Sequence, residues 1–65
     1  MGLDDPQARE QVLLRLRRLE GQVRGVQNMI AEDRDCTDVL QQMAAIRSAV
    51  QGATMLMLES YIDSC

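Results

Sequence analysis

Two apolar stripes separated by a short polar stretch constrain the fold of this chain more than any other feature of its 65 residues. In each stripe the apolar residues alternate steps of four and three, which is the spacing of a packed helical seam. The first stripe is formed by Val12, Leu16, Leu19, Val23, Val26 and Ile30, and the second by Val39, Met43, Ile46, Val50, Ala53, Met57 and Tyr61. The pattern predicts two long helices joined at the polar residues "AEDRD".

The residues at the ends of the stripes indicate where each helix begins. Asp5 followed by Pro6 is typical of an N-cap and a first helical position, so helix one is predicted at about 6–32. Asp35 and Asp38 have the spacing of a capping box, which predicts helix two at about 36–65. With no visible linker or repeat, we expect a single domain over 1–65.

The predicted fold class is all-α, an antiparallel helical hairpin. A composition of 46% hydrophobic residues without Phe or Trp favours aliphatic helices over sheets. A lone hairpin covers only one side of each stripe, and so short a chain builds a marginal core. We therefore expect a homodimeric four-helix bundle, with a homotetramer as a larger alternative.

The chain shows no signal for a membrane or for export. It has no apolar run of about 18 residues, and its N-terminus "MGLDDPQARE" lacks the basic and apolar blocks of a signal peptide. We expect a cytoplasmic protein without a membrane partner. In that compartment two cysteines favour metal binding or redox chemistry over a structural disulfide.

The charge distribution is uneven along the chain. The net charge is −3, yet residues 9 to 24 hold five arginines against two glutamates. Arginine presents a planar fork that suits phosphate, so this segment is compatible with nucleic acid. A solvated helix face with ordinary ion pairs explains the same charges, and charge alone leaves both interpretations open.

The length of predicted helix two keeps the two cysteines too far apart to meet within one chain. Cys36 and Cys65 lie at opposite ends of predicted helix two, about 43 Å apart, whereas a disulfide needs Cα atoms within about 7 Å. Antiparallel packing of two copies of this helix would bring Cys36 of one subunit to Cys65 of the other. The alternative is that both are unrelated small core residues.

The stretch "RLRRLEGQVRGVQNMIAEDRDCTDVLQQMAAIRSA" resembles the signature of the copper-sensitive operon repressor family, which also includes nickel, cobalt, formaldehyde and persulfide sensors. The matching positions are Arg15, Gly21, Gln22, Gly25, Met29, Cys36, Asp38, Gln42, Ala45 and Ala49. The resemblance implies a non-enzymatic helical dimer, usually a dimer of dimers, that binds operator DNA when its sensor site is empty. Family members usually continue into a third helix, which is absent from this sequence.

In the copper-sensing branch, the resemblance implies a site made by one Cys from one subunit and a His and a Cys, four residues apart, from the other. Cys36 and Cys65 fall on the cysteine positions and Tyr61 on the histidine position, and the chain contains no His. A phenol is a poor replacement ligand at neutral pH, so we interpret Tyr61 as a packing residue beside the sensor site.

Two cysteines without a histidine resemble the persulfide-sensing branch of the family, and this resemblance favours sulfur chemistry as the signal. The hypothesis is that persulfide or other reactive sulfur links Cys36 to Cys65 of the partner subunit through di-, tri- or tetrasulfide bonds, with no obligatory cofactor. The alternative is a repressor that binds Cu(I) through the same two thiolates, because soft sulfur selects that ion.

The candidate DNA-binding residues lie on helix one. Arg15, Arg18 and Gln22 line one edge, while Arg17 and Arg24 lie opposite the core, and contacts to phosphate and groove shape should dominate. Gly21 and Gly25 suggest close contact with DNA or a neighbouring subunit. The resemblance implies a second DNA-contacting position at Gly52, where the missing side chain should weaken the contact. A further alternative is a helical dimerisation or copper-buffering module that does not bind DNA.

Overall fold

The computed structural model describes residues 3–64 and contains two α-helices, α1 (Pro6–Ala31) and α2 (Cys36–Ser64). The helices pack against each other as an antiparallel hairpin with principal extents of 44 × 15 × 14 Å. The prediction of an all-α helical hairpin is confirmed. Helix α1 ends one residue before its predicted boundary, and the predicted end of helix two, Cys65, lies outside the described residues.

The start of α1 follows the local signals in the sequence. The Asp5 side chain accepts a hydrogen bond from the backbone N–H of Gln7 at 3.0 Å, and Pro6 occupies the first helical position. The carboxylate satisfies one of the N–H groups that a helix start leaves without a partner, and proline loses nothing there because its missing N–H is not needed.

The end of α1 is a Schellman motif. The N–H of Arg34 donates to the carbonyl of Met29 at 2.9 Å, and the N–H of Asp33 donates to the carbonyl of Ile30 at 3.2 Å. Asp33 has a φ of 56°, a left-handed conformation that aspartate tolerates better than most residues. These bonds turn the chain sharply enough to reverse its direction within four residues.

The predicted capping box at the start of α2 does not form. Among the described residues, neither the Asp35 nor the Asp38 side chain accepts a hydrogen bond from the helix backbone. Asp35 instead contributes its backbone carbonyl, which accepts from the N–H of Val39 at 3.1 Å. The start of α2 is therefore positioned by the preceding turn, and Asp38 lies in its first turn, where a negative charge is favourable.

The contact between the helices is narrow. Among the described residues, the buried ones are Leu3, Leu19, Val26, Ala53 and Ser60. The side of α2 that meets α1 carries several small residues, which lets the helices approach closely, and the Ser60 hydroxyl donates a hydrogen bond to the carbonyl of Leu56 at 3.2 Å. No described side chain is fully buried, so the hairpin alone provides a thin core.

Large apolar side chains of both stripes remain exposed on one side of the hairpin. Six of them are between 41% and 58% exposed: Leu16, Val23, Ile30, Met43, Val50 and Tyr61. Three of them, Leu16, Val50 and Tyr61, border a cavity of about 510 Å³ near the open end of the hairpin. We call this the apolar groove; it is lined chiefly by Leu16, Leu19, Val50, Ala53, Met57 and Tyr61.

Neither helix of the described chain is both long enough and apolar enough to cross a membrane.

The burial pattern predicts unequal effects of two leucine substitutions in α1. Leu19→Ala should lower the free energy of unfolding by about 2–3 kcal/mol, because it opens a cavity at the helix contact. Leu14→Ala, at a side chain that is 46% exposed, should cost less than about 1 kcal/mol. Urea denaturation at one fixed protein concentration measures both. Equal losses would contradict the packing described here.

Candidate functional site

Cys36 is the first residue of α2 and is a free, exposed cysteine. It lies directly after the turn and borders a small pocket of about 390 Å³, whose other lining residues are Ile30, Asp33, Arg34, Val39 and Leu40. The pocket is open to solvent on one side of the turn. A dissolved reagent or a residue of another chain can therefore reach the thiol.

The structure places Tyr61 far from Cys36. The two residues are 25 positions apart on the continuous helix α2, which corresponds to about 37 Å. Tyr61 is 58% exposed and lines the apolar groove. Within one chain it acts as a groove residue and not as a neighbour of Cys36.

Cys65, the other predicted sensor residue, lies outside the described residues. Within residues 3–62 no three His, Cys, Asp or Glu side chains are grouped closely enough to hold a metal ion. Of the predicted thiol pair, the described part of the chain therefore contains Cys36 alone.

Arg15, Arg18 and Gln22 lie along one edge of α1, which we call the arginine edge. All three side chains are exposed. Leu19 and Val26, which are buried at the helix contact, lie between Arg15 and the groove residue Leu16 around α1, so the arginine edge and the apolar groove lie on opposite sides of that contact.

Arg15 lies where the two helices meet. Its Nη1 atom is 3.4 Å from the position that a Cβ atom on Gly52 would take. Within residues 3–62, Arg15 and Arg18 form neither a salt bridge nor a hydrogen bond through their side chains. Both guanidinium groups are thus available to an anion from outside the chain.

Arg17 and Arg24 lie on a different side of α1 from the arginine edge. Arg24 forms an exposed ion pair with Glu20 at 3.8 Å, one helical turn away. Such a surface pair contributes little to stability and leaves the arginine available for exchange with another anion. The five candidate DNA-binding residues therefore form two groups, as their sequence spacing predicts.

The glycines of α1 have no packing role within the chain. A Cβ atom at Gly21 or Gly25 would meet nothing within 4 Å. Gly52 differs, because Arg15 lies against it. The sequence offered no signal for this contact, since the two residues are far apart in the chain and meet only when the helices are docked.

The chain is similar to known transcriptional repressors. The family model described as "Metal-sensitive transcriptional repressor" matches residues 8–65. The copper-sensing transcriptional repressor CsoR of Bacillus subtilis (strain 168) is 42% identical over 57 residues, which cover 88% of this chain and 56% of the relative. The copper-sensing transcriptional repressor RicR of Mycobacterium tuberculosis (strain ATCC 25618 / H37Rv) is 42% identical over 59 residues, which cover 91% of this chain and 62% of the relative.

The chain thus spans about three fifths of the length of these two relatives. No solved structure matches it.

Proposed function

The chain belongs to the family of metal-sensitive transcriptional repressors, and from this premise we propose that it binds operator DNA and releases it when a thiol site shared by two subunits is modified. Members of this family are repressors and not enzymes. The observation that carries the proposal is the separation of two surfaces, an arginine edge whose Arg15 and Arg18 have no ion-pair partner among residues 3–62 and an apolar groove on the opposite side of the helix contact. We place the protein with its DNA in the cytoplasm.

The first element of the proposal is a homodimer in which a second copy covers the apolar groove. The groove is lined only by uncharged residues, and the exposed stripe residues of both helices lie on the same side of the hairpin. A contiguous apolar surface of this kind is typical of an interface. Burying it against the same surface of another hairpin completes a four-helix bundle.

The second element is the shared thiol site. Two copies of α2 that pack antiparallel would bring Cys36 of one subunit close to Cys65 of the other, twice per dimer. Cys36 is supported as the accessible member of the pair by its exposure at the helix start. Tyr61 lines the groove and is proposed as a packing residue of the interface beside this site.

The third element is DNA binding through the arginine edge. A dimer formed through the groove leaves this edge exposed on both subunits, because it lies on the opposite side of the helix contact in each hairpin. Guanidinium groups that lack internal carboxylate partners can neutralise phosphates without first breaking an ion pair. Arg17, Arg24 and Gln22 are included as flanking contacts.

Reactive sulfur is the signal that the available side chains favour, because the chain contains two cysteine thiols and no histidine imidazole. The Cys36 thiolate attacks the outer sulfur of a low-molecular-weight persulfide, the thiol RSH leaves, and Cys36 becomes a persulfide. The Cys65 thiolate of the partner subunit then attacks the Cys36 sulfur and expels HS⁻, which leaves a disulfide between subunits. The two protein thiols are oxidised and the transferred sulfur is reduced to sulfide.

Cu(I) is the second candidate signal, and the two copper-sensing relatives favour it. Two cysteine thiolates suit this soft ion, so Cys36 and Cys65 of two subunits fit it as a pair of ligands. They do not fit a site that needs an imidazole, since the chain contains no His. Copper would supply a non-covalent link between the same two thiols.

The proposed dimer predicts that a charge in the apolar groove disrupts assembly. Val50→Glu, at a side chain 48% exposed in the groove, should shift the protein to monomers in analytical ultracentrifugation at micromolar concentration, because a dimer would bury the carboxylate. Met55→Glu, at a side chain 53% exposed but outside the groove, is the matched control and should remain at least dimeric.

A mixing experiment tests the orientation of the subunits. Under mild oxidation, Cys36→Ser and Cys65→Ser should each stay uncrosslinked, whereas their mixture should form a covalent dimer. A stable monomeric wild type, or covalent dimers of either single variant alone, would contradict the proposed arrangement.

The proposed DNA surface predicts weaker binding when its arginines are removed. Arg15→Ala and Arg18→Ala should each lower affinity about tenfold or more for a duplex taken from upstream of the gene that encodes this chain. Each should also reduce the slope of log affinity against log salt by about 0.9.

Arg47→Ala is the control for this experiment, because it removes the same charge from α2 on a side away from Gly52. Circular dichroism should show that all three variants stay helical. If either edge variant bound as tightly as the wild type at the same salt, the DNA surface would lie elsewhere. A wild type without salt-dependent binding would favour a dimerisation or copper-buffering module.

The nature of the signal is tested at Tyr61. Tyr61→His adds an imidazole four residues before Cys65 and should raise Cu(I) affinity at least about 100-fold in competition with a chelator, because it adds a metal ligand. Wild-type protein should release DNA on treatment with a persulfide donor and show an intersubunit sulfur link by mass spectrometry. Wild-type Cu(I) affinity equal to that of the variant, with no DNA release by persulfide, would favour the copper-responsive repressor.

A further inference from the structure

We propose that Gly52 is a positioning residue for DNA binding, because its missing side chain leaves a notch on α2 in which the Arg15 guanidinium lies. The inference rests on the proposed function, since it assumes that Arg15 contacts phosphate. In this proposal Gly52 acts by positioning Arg15 and does not itself contact DNA.

The contact itself is specific to this glycine. Of the glycines in the part of the chain that the structure describes, only Gly52 has a side-chain atom near its Cβ position, and that atom is Arg15 Nη1 at 3.4 Å. At Gly21 and Gly25, apart from the neighbouring helix backbone, no described atom lies within 4 Å of the corresponding Cβ position. A methyl group at Gly52 would be in ordinary van der Waals contact with the guanidinium. A longer side chain would occupy the space that the guanidinium fills.

The notch holds the Arg15 guanidinium at a defined place on the hairpin. The side chain starts on α1 and ends over α2, so its charge lies over the line where the helices meet. Gly52 is itself half-buried, which places the notch within the helix contact and not on a free helix face. A guanidinium that rests against a rigid helix loses less conformational freedom when it binds phosphate than one that extends into water.

The charge of Arg15 remains uncompensated in this position. Its side chain makes no salt bridge or hydrogen bond with residues 3–62, so its N–H donors stay available to a ligand. The notch therefore fixes the location of the charge without neutralising it. The ligand class that such an arrangement recognises is a phosphodiester oxygen pair, which a planar guanidinium binds with two parallel hydrogen bonds.

Glycine is unfavourable inside a helix, and this one is not required by backbone conformation. None of the described glycines has a positive φ, so any residue could adopt the backbone at Gly52. Alanine would favour the helix more than glycine does. The contact with Arg15 is the physical reason that the structure offers for a very small residue at this position.

The contact can be tested in the free protein. Nuclear magnetic resonance should show a nuclear Overhauser effect between the Gly52 Hα protons and the Arg15 side-chain protons without DNA. If the folded wild type shows no such effect, Arg15 does not lie against Gly52, and the proposal is overturned whatever the DNA affinity.

A double-mutant cycle tests the role in binding. Gly52→Leu should lower affinity for the upstream duplex about tenfold and reduce the salt slope by about 0.9, as loss of one phosphate contact does. Gly52→Ala should bind within about twofold of the wild type, because a methyl group leaves the guanidinium in place. In the Arg15→Ala background, Gly52→Leu should lower affinity no further. An equal loss in that background would overturn the proposal, because it would show that Leu disturbs the complex independently of Arg15.

Two control variants distinguish failure of the positioning role of Gly52 from failure of the proposed DNA binding. Gly21→Leu, at an open position, should keep the wild-type salt slope, and Gly52→Gln repeats the test with a polar side chain if the Leu variant does not fold. Wild-type binding with an unaffected Gly52→Leu variant would overturn the positioning role alone. Failure of the wild type to bind the duplex would overturn the proposed function and the DNA role of Gly52 together.

Discussion

A helical hairpin can bury only one side of each of its apolar stripes, and the rest of this molecule depends on that limit. The helices meet through Leu19 and Val26 on one side and through Ala53 and Ser60 on the other. Because these α2 residues are small, the helices approach closely while the larger stripe residues are left to one side. The resulting core is thin, and the apolar groove is the surface through which the proposed dimer completes it.

The same rotation of the helices determines where the charges lie. Residues that follow one another in a helix point about 100° apart, so with Leu19 at the contact, Leu16 faces the groove and Arg15 lies on the other side of the contact, against Gly52. Neighbouring positions in the sequence therefore supply the apolar groove and the arginine edge. A dimer formed through the first surface leaves the second exposed, which is the arrangement that a DNA-binding dimer needs.

Helix length governs the proposed sensor chemistry. Helix α2 is uninterrupted from Cys36 to Ser64, so groups at its two ends cannot meet in one chain. A site that joins both ends requires two chains, and any bond formed there links the subunits directly. In the proposed mechanism a chemical change at the thiols thus acts on the relative position of two rigid hairpins, each of which carries an arginine edge. The absence of His limits the site to thiol chemistry or to a soft metal ion held by sulfur.

The features of this protein that depend on neighbouring residues can be read from its amino-acid sequence alone. The period of the stripes predicted both helices, Asp5 and Pro6 predicted the start of α1, and the polar residues between the stripes predicted the hairpin. These features follow from local geometry and need no information about distant residues. The separation of Cys36 from the far end of α2 followed in the same way, from the rise of a helix.

Which residues meet across the hairpin follows from the packing of its two helices. The capping box predicted from Asp35 and Asp38 does not form: the turn at Asp33 satisfies carbonyls at the end of α1, and at the start of α2 the Asp35 backbone carbonyl accepts from the N–H of Val39. Which stripe residues are buried depends on the rotation of α2 against α1, and a periodic pattern does not specify that rotation. The contact of Arg15 with Gly52 joins residues far apart in the chain, so it exists only after the register of the two helices is fixed by packing.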